Sequence, residues 1–440
     1  MLDKFKDMGK AAFVKAKRTA GQTTVKKNTD QYIVGLDIGT EYVKALIAQV
    51  DRTGAEGLKI IGVGRAHQSL SDMQAGAVSD IASVVQNCDS ALSQAEEQAG
   101  VSVRTAVIGI AGELVKGTTT TVRVARKDSA KPLDTEEVEK IIRLVQGRAE
   151  TKAKQQLAVE LGGKAVEVRL VNSALVAIDI DGYPVTNPIG FQGKDVVVQL
   201  YTAFAPMIHI GALERVAQEL DLDLLAVAAE PFAVARSVIG DNPSANLSAI
   251  LMDVGGGTTD IAVINDGGVQ GTKMFGIGGR AYTRAIERDL DVEFSQAEEL
   301  KLGLAEDTVP RQKVAAVEAA LTKTLDVWQS GIELALGEFT RLDHLPNRVY
   351  LCGGGSSLDM LMDRLERTDW YRGLPFTRKP VIQHIEPSQV AGIIDKTGDV
   401  NDHTFITAMG LLRVGLDTLQ FSDGGGNGSI REKIDNMLRV

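Results

Sequence analysis

Ala249-Ile-Leu-Met-Asp253-Val-Gly-Gly-Gly-Thr-Thr-Asp260-Ile-Ala-Val-Ile264 is the stretch that decides the fold. An apolar run ends in Asp-x-Gly, turns on small residues and returns as a second β-branched run, the pattern of a tight hairpin between two buried strands. The chain has already done this once: Tyr32 to Leu36 leads into Asp37-Ile38-Gly39-Thr40, and Val43 to Val50 returns. Two copies of one hairpin predict a duplicated fold. A third turn, Gly353-Gly354-Gly355-Ser356-Ser357, follows the strand-like run Arg348 to Cys352.

Glycine lets backbone N–H groups come close to phosphate oxygens, so two such hairpins can clamp a polyphosphate from opposite sides while the third turn supports a nucleoside. The candidate nucleotide residues are Gly39 and Thr40 at the first turn, and Gly255, Gly256, Gly257, Thr258 and Thr259 at the second. Gly353, Gly354, Gly355 and Ser356 are the candidates at the third. Asp37, Asp253 and Asp260 would repel a polyphosphate unless a divalent cation stood between them. Magnesium, which keeps much of its water shell and bridges few carboxylates to phosphates, fits that arrangement, partly through water. A G-x-x-x-x-G-K-[ST] loop is absent, which argues against a P-loop. Lys44, on the return strand, reads as a solvated strand lysine, with phosphate contact as the alternative. The five histidines form no metal-ligand spacing and receive no role.

The rest of the chain predicts an α/β protein. A third strand-like run covers Lys59 to Gly64, a helix runs from Asp80 to a stop at Gly100, and a strand follows at Ala106 to Ile110. Residues 113–205 differ in texture: a Thr-rich strand, a helix capped at Asp134 or Thr135, a polar connector around Thr151 to Gln156, then strands at Val166 to Val171 and Val196 to Thr202. This is the pattern of an inserted α+β module. The predicted division is an arm at 1–30, lobe I at 31–112 continued in 206–248 and 404–420, the insertion at 113–205, lobe II at 249–403, and a Gly-rich linker and short tail at 421–440.

Composition bounds the function. With 440 residues, 44% hydrophobic and 24% charged, the chain can bury sizeable cores. Cys88 and Cys352 offer no disulfide framework, which suits a cytoplasmic setting. No stretch approaches the roughly 20 consecutive apolar residues of a membrane span. The net charge of −10 argues against nucleic acid as a partner. It is unevenly spread: residues 1–27 carry eight Lys/Arg against two Asp, leaving a net −16 on the remainder.

These turns, in this order, resemble those of the actin, sugar-kinase and heat-shock-chaperone ATPase superfamily. The resemblance covers about residues 31–420, and it implies an actin-like ATPase fold with two lobes around a nucleotide cleft. ATP and Mg2+ are the implied ligands. Val34 to Thr40 and Asp253 to Asp260 look like the two phosphate loops, and Gly353 to Ser356 like the adenosine motif. Ala229-Glu230-Pro231-Phe232-Ala233 and Thr407-Ala408-Met409-Gly410 look like the connecting helices. The resemblance gives Glu230 a water-orienting catalytic role, the alternative being an ordinary strand-to-helix junction. Glu298 and Lys301, one helical turn apart, resemble the helix that brackets adenine and ribose; the alternative is an exposed salt-bridged pair.

Within the superfamily, the inserted segment Asp181-Gly182-Tyr-Pro-Val-Thr-Asn187-Pro188-Ile189-Gly190-Phe-Gln-Gly193 is similar to the SHS2-like insertion module of the FtsA family. That family implies bacterial cell division at the septum, self-association into filaments, and tethering of the tubulin-like FtsZ ring to the inner face of the cell membrane. Fast phosphotransfer has little support, since no general base aimed at an acceptor hydroxyl is visible, and ATPase activity is expected to be at most slow. A PilM-like adaptor of type IV pilus or competence machinery is the alternative, and a small-molecule phosphotransferase the third reading. For a peripheral contact with anionic lipid there are two candidates. Leu2, Phe5, Met8, Ala12 and Ala16 share one helical face amid lysines at the N-terminus, while Ile430, Ile434, Met437 and Leu438 do so beyond Gly424 to Gly428.

Overall fold

The computed structural model describes residues 32–51, 57–239 and 247–422. Both terminal segments proposed for membrane contact lie outside the described residues. Among the described residues no helix is long and apolar enough to cross a membrane.

β1 (Tyr32–Ile38) is buried at every position after Tyr32, as a strand covered on both faces must be. It pairs antiparallel with β2 (Tyr42–Val50), which pairs antiparallel with β3 (Leu58–His67). After a two-residue hairpin of β4 (Met73–Gln74) and β5 (Ala77–Val78), helix α1 (Ile81–Ala99) crosses to β6 (Thr105–Ile110), which lies parallel to β1. Asp80 caps α1 by accepting from the N–H groups of Ala82 and Ser83, and Gly100 ends it at φ 66°.

The module then departs from lobe I. β7 (Lys116–Ala125), helix α2 (Thr135–Glu160), β8 (Val168–Ile180), β9 (Tyr183–Pro184) and β10 (Asp195–Pro206) form it, with strand order β7-β10-β8-β9. The polar connector expected around Thr151 to Gln156 is part of α2. Ala149, Ala153 and Leu157 recur every four residues on the buried side, so the polar residues between them are the outer face of one continuous helix. The almost fully buried Arg126 ties the start of α2 down, donating to both Glu137 oxygens and to the carbonyls of Gly193 and Lys131.

Helix α3 (Met207–Glu219) and β11 (Asp223–Ala229) extend this sheet to the order β11-β6-β1-β2-β3, to which a late strand adds at the β3 edge, and the first connecting helix, α4 (Glu230–Ile239), follows. The second half repeats the scheme. β12 (Ala249–Val254), β13 (Thr259–Asn265) and β14 (Gly268–Phe275) form an antiparallel meander. Helices α5 (Gly279–Leu290), α6 (Phe294–Gly303) and α7 (Arg311–Gly337) lead to β15 (Arg348–Cys352), parallel to β12. Helix α8 (Asp359–Arg367) precedes β16 (Val381–His384), parallel to β15, and β17 (Ile393–Asp395) returns to the edge of β3. The orders β11-β6-β1-β2-β3 and β16-β15-β12-β13-β14 correspond strand for strand, which is the duplication the hairpins announced.

The second sheet runs on past β14 into the module through one backbone pairing, Gly271 with Thr118. Side chains reinforce this seam: Thr119 Oγ1 donates to the Val269 carbonyl at 2.7 Å, and the Tyr201 hydroxyl lies 3.2 Å from Thr272 Oγ1.

Helix α9 (Ile406–Ser422) is the second connector and packs against α4. Inside this contact Arg413, with no exposure, donates to Asp417 and to the Ala391 carbonyl, while Arg236 of α4 donates to the other Asp417 oxygen. Removing one member of a buried charged cluster strands the others. Arg413→Ala is therefore expected to destabilise the protein by about 3 kcal/mol in urea denaturation. A loss below about 1 kcal/mol would mean that Arg413 behaves as a surface cation.

Candidate nucleotide site

The two hairpins meet. A Cβ added at Gly257 would lie 2.6 Å from Thr40 Oγ1, and one added at Gly256 would lie 2.8 Å from Glu41 Cβ. Backbone of the second turn therefore occupies space that any side chain there would take from the first. Strand register puts the two turns in the same phase: Asp37 pairs with Lys44 across β1 and β2, and Asp253 pairs with Asp260 across β12 and β13. Lys44 is thus the positional counterpart of Asp260.

Lys44 is not solvated. Its side chain is only 12% exposed, and Nζ donates to Asp37 Oδ2 at 3.1 Å. The solvated reading assumed one wet face, but this sheet is covered on both. Burial alone would lower the ammonium's pKa, yet Asp37 and Asp253 together hold it above its ordinary value. The sequence reading placed Lys44 near phosphate only as its alternative, and the register shared with Asp260 is the signal that could have raised it.

Four carboxylates and one ammonium share this region. Glu230, at the first turn of α4, is held well above the usual carboxylate range by burial and then by Asp37, Asp260 and Asp253. Asp260 is raised by burial and then by Asp253. Burial also raises Asp253, against the Thr407 hydroxyl, which donates to it from the start of α9. Asp260 Oδ2 accepts from Thr258 at 3.4 Å, and Oδ1 is buried with no hydrogen-bond partner. An orphaned carboxylate oxygen amid like charges, with Lys44 beside them, fits a cation-binding cluster. Among the described residues no three His, Cys, Asp or Glu side chains converge tightly enough to ligate one ion directly. The donor set therefore fits a magnesium ion held through its own water and a ligand's phosphates, and not one caged by protein.

The third turn closes over Asp253. Gly353 adopts φ 80° and ψ 153°, and a Cβ there would overlap Asp253 Oδ1. Its N–H donates to the His403 carbonyl at 3.2 Å, and the Ser356 hydroxyl donates to the Gly353 carbonyl at 2.7 Å. Gly354 is exposed and Gly355 half-buried. Two histidines with no spacing signal come together here: His384 of β16 stacks on His403 at 4.0 Å, and His403 Nε2 lies 3.0 Å from Ser357 Oγ. Burial, then His384, push His403 down to about 4.

The predicted α6 pair lies beside the second hairpin. Lys301 Nζ donates to Glu298 at 2.8 Å, to Thr283 Oγ1 at 2.9 Å and to the Gly279 carbonyl at 3.3 Å. The Gly279 N–H in turn donates to the Gly255 carbonyl. The Thr259 hydroxyl donates to the Ile277 carbonyl at 2.7 Å and accepts from Trp328 Nε1 at 2.9 Å, which ties α7 to the hairpin. Gly39, braced by Gln68 Nε2 on its carbonyl at 2.8 Å, and the buried Thr40 stand opposite.

With this geometry in hand, comparison with known proteins is specific. Residues 250–410 match the family model described as cell division protein FtsA. The chain is 27% identical over 413 residues to the cell division protein FtsA of Pseudomonas aeruginosa, covering 89% of this chain and 90% of that one. It is 25% identical over 430 residues to the FtsA of Neisseria meningitidis, covering 92% and 94%. Among solved structures, a chain of the PilM-PilN type IV pilus biogenesis complex superposes with a TM-score of 0.62 at 16% identity, covering 87% of this chain and 98% of that one. The fold is actin-like.

Proposed function

We propose that this FtsA-like chain is an ATP-binding, actin-like protein of bacterial cell division that self-associates at the inner membrane surface and tethers an FtsZ-like ring. One observation carries the nucleotide part: two hairpins in equal register meet tip to tip over a carboxylate cluster that contains Lys44. The amides of Gly39, Thr40 and Gly256 to Thr259 would hold the phosphates; Gly255 would shape the turn, its N–H donating to the Thr258 carbonyl, and Thr259 would contribute backbone only because its hydroxyl is already bonded. Gly353 to Ser356 would support the nucleoside, and Glu298 with Lys301 would flank it. Asp37, Asp253 and Asp260 would hold magnesium, which when bound supplies the positive charge that lets phosphate approach this cluster. Glu230 would orient water, and any hydrolysis would be at most slow.

The division role rests on likeness to the FtsA proteins over most of the chain. The test is a sedimentation assay with the purified full chain, ATP, magnesium and anionic vesicles, with and without the FtsZ-like protein of the same genome. The expected result is co-sedimentation of all three components, reduced when residues 1–27 or 424–440 are deleted. Capture of a pilus membrane peptide, with no retention of the tubulin-like protein, would instead establish the PilM-like adaptor reading.

A further inference from the structure

Arg280 occupies the first turn of α5, where the positive end of the helix disfavours a cation. Local structure therefore gives no reason for it. Its backbone N–H donates to the Gly256 carbonyl at 2.8 Å, fixing it to the tip of the second hairpin. Its guanidinium reaches the other way. Nε donates to Glu41 Oε2 at 2.7 Å, and Nη2 to the carbonyls of Gln68 and Ser69 at 3.3 and 3.4 Å. Glu41 is the tip residue of the first hairpin, and its second oxygen lies 2.8 Å from His67 Nε2.

One side chain thus joins the two hairpin tips and the end of β3. The pair is largely shielded, with Arg280 12% and Glu41 24% exposed, so solvent screens it less than an ordinary surface pair. Its anchor is rigid: Gln68 has no exposure, donates to the Gly39 carbonyl and accepts from Asn87 at 3.0 Å. Parting the two tips, as opening of the phosphate end would require, breaks this pair.

We propose that Arg280 is an interlobe clasp whose ion pair with Glu41 closes the phosphate end of the cleft and sets the rate at which bound nucleotide leaves. The inference rests on the nucleotide reading above, and it makes Arg280 a positioning residue. The measurement is release of mant-ADP, with magnesium, into excess unlabelled ADP, for the full chain and for Arg280→Gln, Arg280→Lys, Glu41→Gln and the Arg280→Gln/Glu41→Gln double variant.

Arg280→Gln and Glu41→Gln are each expected to speed release about tenfold, and the double variant no more than either single change, because all three break one pair. Arg280→Lys, which keeps the charge and loses the fork, should fall between. Thermal melts of the ligand-free variants identify any that fail to fold. Single-variant rates within twofold of the parent, or multiplicative effects in the double variant, would overturn the clasp while leaving the nucleotide site standing. A parent chain that does not bind mant-ADP would overturn both.

Discussion

Asp260→Asn is expected to move stability and ligand binding in opposite directions. Asp260 is 3% exposed, has an unpartnered oxygen, and faces Asp253 with only a long contact from Thr258 to support it. Removing its charge relieves desolvation and repulsion in the ligand-free protein, a gain of about 1 kcal/mol or more in urea denaturation with a chelator present. The same change withdraws a carboxylate from the cation-binding cluster and should weaken magnesium-dependent ATP affinity by about 100-fold, read by calorimetry. Unchanged affinity would remove Asp260 from the site, and a large loss of stability would mean that its charge is structurally required.

The pH dependence follows from the same groups. Glu230, Asp253 and Asp260 have folded-state pKa values above those of the unfolded chain. The folded form therefore keeps protons that the unfolded chain has released, and ligand-free stability falls as pH rises from the ordinary carboxylate range through their raised values.

Gly353→Ala should have the other large effect. Its φ of 80° with ψ of 153° belongs to a region that only glycine occupies at ease, and the added methyl would meet Asp253 and the Val254 carbonyl. Strain and overpacking together predict a loss of about 3 to 5 kcal/mol. Because the displaced group is Asp253, ATP affinity should fall as well, whereas Gly354→Ala, with no atom within 4 Å of its added Cβ, should leave both nearly unchanged. Equal effects at the two positions would show that the turn is soft.

Much of this was legible from residues alone. The duplicated Asp-x-Gly hairpins announced two lobes because apolar strands ending in glycine turns are local signals, and the strand orders of the two sheets repeat accordingly. The inserted α+β texture was legible for the same reason. What escaped depended on long-range packing. Lys44 looked solvated because strand alternation assumes one wet face, whereas its sheet is covered on both. The Thr151 to Gln156 stretch looked like a connector because its exposed polar face dominates the composition and its buried residues recur only every fourth position. His384, His403 and Arg280 carry no local pattern at all: each acquires its neighbours only when distant segments meet.

The seam between β14 and β7 has a mechanical consequence. The module's strands are continuous in sequence with lobe I, through β6 on one side and α3 on the other, yet among the described residues its strand pairing outside itself is with lobe II, at Gly271 and Thr118. It is hinged to one half and latched to the other. A rotation of the halves about the α4 and α9 contact would load that seam or be carried into the module as a swing of its strands, among them the edge strand β9 with Tyr183, 75% exposed.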